Sequence, residues 1–176
     1  MGRQMSNIAF RLMVNVGMPI RNLFMPPGKM LAETDICQGY QVLDYGCGPG
    51  TFTIKIAERV GPSGMVYGLD IHPLAIRYLE RKAARKKLTN IKSILSNCST
   101  SLEDNSIDYA VFFDVYHVLN NKEDVLVELK RVLKPGGMLC FSDHHMEDDR
   151  SIQELTKDGL FVLDKTGQRT ISFIGA

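Results

Sequence analysis

One stretch, Val42-Leu43-Asp44-Tyr45-Gly46-Cys47-Gly48-Pro49-Gly50, constrains the chain more than any other. A short apolar run reads as a buried strand. Glycine at every second position then lets the backbone turn sharply and brings its N–H groups close to a ligand. Phe52, Ile56, Ala57 and Val60 follow at helical spacing, so the turn joins a strand to a helix. Taken alone, it is equally a tight turn with no ligand. Three details narrow it. The spacing is GxGxG, with Thr51 where the dinucleotide fingerprint places its last glycine. Asp44 precedes the glycines, where a carboxylate would repel a pyrophosphate and attract an ammonium group. Asp70 closes the next strand-like run, where it can accept hydrogen bonds from both hydroxyls of a ribose. Together they ask for a nucleoside with a cationic, amino-acid-like tail.

The rest of the chain continues the alternation. Gly61-Pro62-Ser63-Gly64 is a loop, and Met65 to Asp70 reads as a second strand. Pro73 suits the first turn of a helix that carries Ile76, Leu79 and Ala83 on one face. Ile91–Leu95 and the continuous apolar run Ile107–Phe113 read as strands, the latter buried on both faces. Val125, Leu126, Leu129, Val132 and Leu133 mark a helix stopped by Pro135-Gly136-Gly137, and Met138–Ser142 is a fifth strand. Leu160–Leu163 and Thr170–Phe173 flank a Lys165-Thr166-Gly167 turn and read as a hairpin. The expectation is an α/β, Rossmann-like sheet of seven mostly parallel strands, with a C-terminal antiparallel hairpin and helices on both faces. A length of 176 residues with 44% hydrophobic content suits one domain, divided as residues 37–176 and an N-terminal helical segment, 1–36.

The ligand described by the glycine turn and Asp70 fits S-adenosylmethionine better than a dinucleotide. From Gln41 onward the chain resembles the class I S-adenosylmethionine-dependent methyltransferases that act on small molecules. Asp44-x-Gly46-x-Gly48-x-Gly50 matches that family's first motif and Asp70 its acidic second motif. The resemblance implies Asp44 near the methionine amine, Gly46 and Gly48 under the methionyl and ribose parts, and Asp70 on the ribose hydroxyls. Cys47, Gly50 and Ile71 belong to the same implied cofactor set, as does Asp114. The family's third motif has an acid near the adenine amino group. This chain has Ser96-Asn97-Cys98 there, and an Asn97 amide oxygen can still accept from the adenine N6 donor. Asn97 is equally compatible with a plain turn residue. Ser106-Ile107-Asp108 matches the start of the fourth strand, with Asp108 read as structural.

Asp114, Tyr116 and His117 follow the fourth strand; Asp143, His144 and His145 follow the fifth. Methyl transfer from a sulfonium needs alignment of the acceptor and, for many acceptors, a base. His117 or His144 is the candidate base, with Asp114 or Asp143 as its orienting partner. The alternatives are a helix-start residue packing on the adenosine for His117 and a polar loop for the Asp143-His144-His145 run. No metal is expected, because adjacent histidines on a regular strand face opposite ways.

The first thirty residues carry Arg3, Arg11, Arg21 and Lys29 but no acid, and six of the nine methionines: Met1, Met5, Met13, Met18, Met25 and Met30. Ile8, Phe10, Leu12, Met13, Val16 and Ile20 suggest an amphipathic helix broken near Pro19 and again at Pro26-Pro27, with a second short helix from Lys29. It reads as a packing helix across the sheet edge, as a lid over the substrate pocket, or as a membrane-surface anchor. Two other functions compete with methyl transfer: an NAD-linked oxidoreductase, and a non-catalytic cofactor-binding subunit. The expected partner is a small molecule, with an apolar one among the candidates. S-adenosylhomocysteine is the expected product, and the oligomeric state is left open. A net charge of +1 gives no pull toward nucleic acid, and the basic run Arg81-Lys82, Arg85-Lys86-Lys87 reads as a solvated helix face. Four scattered cysteines suggest a reduced, cytoplasmic chain, and no apolar stretch approaches the ~20 residues of a membrane span.

Overall fold

A computed structural model describes residues 5–176; Met1 and Arg3, counted above in the basic, methionine-rich start, lie outside them. Seven strands form one sheet: β1 (Gln41–Tyr45), β2 (Met65–Asp70), β3 (Ile91–Leu95), β4 (Ile107–Phe113), β5 (Leu133–Ser142), β6 (Phe161–Thr166) and β7 (Ile171–Gly175). Their order is β3-β2-β1-β4-β5-β7-β6. Strands β1 to β5 pair in parallel, while β7 runs antiparallel to both β5 and β6. This is the Rossmann-like sheet that the alternation predicts. The chain winds outward from β1 to β3, then returns to place β4 on the other side of β1. The strand order therefore reverses between β1 and β4, which opens a crevice at their carboxyl ends.

Alternation along the central strands feeds two cores. Leu43, Ala110, Phe112, Leu139 and Phe141 face one side; Val42, Val66, Tyr109, Val111 and Cys140 face the other. The seven helices are α1 (Asn7–Leu12), α2 (Met18–Phe24), α3 (Pro27–Ala32), α4 (Thr51–Val60), α5 (Pro73–Lys86), α6 (Lys122–Val132) and α7 (Asp148–Thr156). Helix α4 presents Phe52, Ile56, Ala57 and Val60 to the second core, at the spacing the sequence shows. Helix α6 presents Val125, Leu126, Leu129 and Val132 to the first. Phe112 sits at the centre of that core, with edge-on ring contacts to Tyr45, Tyr116 and Phe141.

Several boundaries differ from the sequence reading. Pro19 does not break the N-terminal helix. A π-helical turn, Met13–Gly17, precedes it, and the Met18 N–H bonds back to Met13 O. Pro19 then falls in the first turn of α2, where its missing N–H costs nothing. Strand β5 begins at Leu133, not Met138: Ile107 pairs Leu133, Tyr109 pairs Met138, and the intervening residues bulge out around Gly136 at φ +74°. Strand β6 ends three residues later than expected and β7 two, and the turn lies at Gly167–Thr170, closed by a 2.8 Å bond from Gly167 N to Thr170 O. Helix α7 was not anticipated. Ser151 and Leu155 are its buried face, and Asp148 and Asp149 sit in its first turn, where they suit the helix dipole.

Two glycines let α5 approach the sheet. A Cβ on Gly68 of β2 would meet Leu79 Cδ2 at 2.6 Å and Thr53 Cγ2 at 3.2 Å. Gly68→Ala is expected to lower the unfolding free energy by about 1–3 kcal/mol. The loss should be smaller in a Leu79→Val background, where the clashing branch is withdrawn. Strictly additive losses in a denaturant-unfolding double-mutant cycle would show that this approach does not set the packing.

Candidate active site

The turn after β1 lies in the crevice at the strand-order reversal. Gly46, Gly48 and Gly50 all have positive φ, +77°, +52° and +79°. The three have different reasons. A Cβ on Gly46 would meet Val115 at 2.9 Å, and one on Gly50 would meet Leu79 Cδ1 at 2.6 Å. At Gly48 nothing lies within 4 Å, so this glycine alone faces open space. The turn's N–H groups are spent within the protein. Gly46 and Cys47 donate to Leu69 O at 2.8 and 2.9 Å, and Gly50 donates to Cys47 O at 3.0 Å. Gly48 donates to Asp70 Oδ2 at 2.9 Å. The Cys47 side chain packs with Ile54, Leu79 and Ala83, and burial pushes its thiol up, so it stays neutral.

Asp44 and Asp70 flank this turn from behind and from the side. Asp44 is buried beneath it and accepts a 2.5 Å hydrogen bond from the Thr53 hydroxyl. Burial pushes its carboxyl up to about 7, helped by the charge of Asp70 and opposed by Thr53. Asp70 Oδ1 accepts from His72 N at 2.7 Å. Burial raises its carboxyl too, against the pull of the backbone donors at His72 and Gly48. Ile71, beside it, is partly exposed. The Ser96-Asn97-Cys98 loop is held to the same strand end, because Ser96 N donates to Asp70 O at 3.1 Å. The Asn97 carbonyl accepts from the Tyr45 hydroxyl at 3.1 Å, while its side chain is exposed and Cys98 is half-buried.

Beyond β4 and β5 the four predicted polar residues come together, and they pair crosswise. Asp143 Oδ2 accepts from His117 N at 3.0 Å and lies 2.9 Å from His117 Nδ1. Asp114 Oδ1 accepts from His144 N at 3.1 Å and lies 2.7 Å from His144 Nδ1. A carboxylate oxygen accepts, so in each pair the ring proton sits on Nδ1 and leaves Nε2 as the basic nitrogen. Residues 143–146 form a turn, not a continued strand, which alters the expectation for the adjacent histidines. The His145 ring lies 4.0 Å from that of His117 and 3.9 Å from that of His144, on one side of the site. Asp114, Asp143 and His144 offer ligand-type atoms within 4.8 Å of one another. The Arg21 guanidinium on Asp114 Oδ2 offsets the charge of that carboxylate, while Asp143 is held by neutral donors, His117 on Oδ2 and His145 N on Oδ1. Burial alone would raise the Asp114 carboxyl, but the His144 hydrogen bonds and Arg21 outweigh it and hold it below the usual range.

The N-terminal helices lie across these strand ends. Phe10 stacks on the His72 ring at 4.2 Å, and His72 Nε2 is 3.0 Å from Met5 O. At the other end Arg21 reaches Asp114 and lies over the Phe52 ring. A cavity of about 190 Å³ opens where Met25 meets the β5 turn, lined by Phe141, Asp143, His144, Met146 and Ile171 among others. Sequence reasoning did not single out Arg21, His72, Thr53 or Val115. Arg21 was visible as a charge in an acid-free segment; the others carry no signal without the fold.

Residues 36–167 match the family model of the methyltransferase domain, and the chain belongs to that family. A SAM-dependent methyltransferase from Aquifex aeolicus superposes with a TM-score of 0.82 at 22% identity, over 98% of both chains. A demethylmenaquinone methyltransferase of Geobacillus sp. (strain WCH70) is 38% identical over 108 residues, which is 61% of this chain and 46% of that protein. A demethylmenaquinone methyltransferase of Staphylococcus aureus (strain JH9) is 35% identical over 115 residues, 63% of this chain and 46% of that protein. The chain thus spans about half the length of these curated relatives.

The Asp44 carboxyl makes stability pH-dependent. Its folded value, about 7, lies above the unfolded 3.8, so below the lower value both states hold the proton and folding is unaffected. Between the two, only the folded chain holds it, and stability falls as pH rises through the interval. Asp44→Asn should flatten that decline between pH 4 and 7 in denaturation midpoints. An identical decline in the variant would show that Asp44 is not the group responsible.

Proposed function

We propose that the chain transfers a methyl group from S-adenosylmethionine to a small, apolar acceptor seated beside the two histidine–aspartate pairs. The observation that carries this reading is the spent state of the glycine turn. A pyrophosphate cradle needs free backbone N–H groups aimed at the anion. Here the N–H groups of Gly46, Cys47, Gly48 and Gly50 are all bonded internally. Two carboxylates also stand beside the turn, Asp44 below it and Asp70 at its flank. A dinucleotide would meet repulsion and no donor from these four residues; a nucleoside with a cationic tail would meet opposite charge. This argues against an NAD-linked oxidoreductase.

The residues fit such a ligand. Asp70 accepts backbone donors from His72 on Oδ1 and Gly48 on Oδ2, with a further one from Ile71, and a carboxylate's acceptor capacity extends beyond these to a ribose hydroxyl. Gly48 leaves room for close approach, and Gly46, Cys47 and Gly50 shape the turn around it. Asp44 in its ionised form would supply negative charge toward the amino-acid end, and a cationic group there would favour that form. Ile71, Asn97 and Cys98 border the place for the base, with Asp114 at the far side. When bound, S-adenosylmethionine supplies a methyl group on an already activated sulfonium and leaves as S-adenosylhomocysteine. His117 and His144, each fixed by a carboxylate, are placed to hold or remove a proton on the acceptor. Both carboxylates are already hydrogen-bonded by protein donors, and no metal enters this reading.

The names of the Geobacillus and Staphylococcus aureus relatives support a small-molecule acceptor. Met25, Phe141, Met146 and Ile171 line part of the cavity and support an apolar portion in that acceptor, while Asp143, His144, Asp148, Gln168 and Arg169 line the rest. Residues 1–36 are assigned as the lid of the methyltransferase domain 37–176, because the described helices bridge His72 and Asp114 over the site. Among the described residues no helix is long and apolar enough to cross a membrane, and all four cysteines are free; both support a cytoplasmic location.

Two variants separate the roles. Asp70→Asn should weaken S-adenosylhomocysteine binding about tenfold or more by calorimetry, with the far-ultraviolet spectrum unchanged. His117→Asn and His144→Asn should leave that affinity unchanged. With an accepted substrate, the more important of the two should lose about 10²–10⁴ in kcat. Tight binding of NAD and none of S-adenosylhomocysteine would reverse the assignment.

A further inference from the structure

The segment from Asn7 to Phe24, α1 through the π turn to α2, has two faces. Phe10 is buried, and Met13, Val14, Met18 and Arg21 are half-buried against the body of the protein. The opposite face carries Ile8, Leu12, Val16, Ile20, Leu23 and Phe24, spaced by three or four residues so that they form one stripe. Ile8 is 82% exposed, Leu23 76% and Phe24 75%. At 1.5 Å per residue the stripe runs roughly 24 Å along the helix. Nothing in the described chain covers it.

Charge narrows what can cover it. Arg11 is exposed beside the stripe and Lys29 is exposed beyond its end. No acidic residue occurs before Glu33. A second copy of the same face would bring like charges together with no carboxylate to meet them. An anionic lipid surface meets both features, taking the apolar side chains at the acyl boundary and the cations at the headgroups. The position also has a use. Leu23 and Phe24 lie next to Met25, which lines the cavity beside His144. The contact line of the stripe and the cavity are therefore contiguous.

We propose that the outer face of residues 7–24 docks on an anionic bilayer surface, from which an apolar acceptor enters the cavity at Met25. This rests on the apolar-acceptor reading for its purpose, not for its binding chemistry. The chain has no tryptophan, so Phe24→Trp provides a single fluorophore. Its emission should shift to the blue, and the protein should co-sediment, with phosphatidylcholine vesicles containing about one third phosphatidylglycerol. Pure phosphatidylcholine should do so much less. Adding Ile8→Asp and Leu12→Asp should abolish both signals, and Arg11→Glu should weaken binding about tenfold. Calorimetry with S-adenosylhomocysteine, unchanged in these variants, verifies the fold. Unshifted emission and protein left in solution with both vesicle types overturn the proposal. So does a concentration-dependent dimer in sedimentation velocity that the same Asp substitutions dissolve, which would assign the face to a second copy. Vesicle binding without any S-adenosylhomocysteine binding would leave the docking intact and reject the methyltransferase reading instead.

Discussion

Asp70 ties the glycine turn after β1 to the end of β2 by accepting the Gly48 N–H at 2.9 Å. Much of the site's character follows from that bond. It uses the N–H of Gly48, the one glycine of the turn whose Cβ position is open, so this glycine offers room rather than a donor. It also holds a half-buried carboxylate at the mouth of the crevice, with its remaining acceptor capacity directed by two fixed N–H groups. Free N–H groups at this turn would suit a phosphate; with Gly48 bonded to Asp70, the turn suits hydroxyl donors and positive charge, as the proposed cofactor requires. The discrimination lies in which atoms are already satisfied, not in the glycine pattern itself.

A second coupling joins this turn to the acceptor side. Asp114 sits at φ +54°, a conformation that costs an ordinary residue about 1–2 kcal/mol but that aspartate tolerates better. Its N–H bonds to Ser142 O at 2.7 Å, and its carboxylate takes His144 and Arg21, so four contacts oppose the strain. The turn that results carries Val115 onto Gly46, where any side chain would collide. Gly46 is therefore as much a packing partner of the β4 end as a cofactor residue. Displacing Val115 would disturb both the cofactor turn and the histidine pairs.

The sheet was largely legible because its strands are apolar runs bounded by glycine, proline and charge, and four of the seven have the boundaries read from sequence. The misses have specific causes. Pro19 reads as a breaker only while the helix is taken to be regular; a π turn changes the count before it arrives. Helix α7 buries just Ser151 and Leu155, too few apolar positions to show a period. Pro135-Gly136-Gly137 is a bulge within β5, and a bulge has the same residue signature as a loop. At the site, the histidines and aspartates were found by their places after β4 and β5. Their crosswise pairing was not, since partner choice depends on how two turns face each other. Arg21 lies 93 residues from Asp114, and no local pattern reports such a contact.

The N-terminal helices, proposed above as a lid, are fastened at two points by polar contacts. At one end His72 Nδ1 accepts from Leu74 N, which leaves Nε2 to donate to Met5 O while Phe10 covers the ring. At the other, Arg21 pairs with Asp114. Asp114 is held below the ordinary carboxylate range, so it stays ionised at neutral and mildly acidic pH, and acidification in that range does not release Arg21. What can release it is competition. Among the described residues, Arg21 Nε is buried without a hydrogen-bond partner, so this end of the segment keeps an unused donor beside the two histidine–aspartate pairs. In the lid reading proposed above, an acceptor oxygen reaching that donor would compete with Asp114 for the same guanidinium.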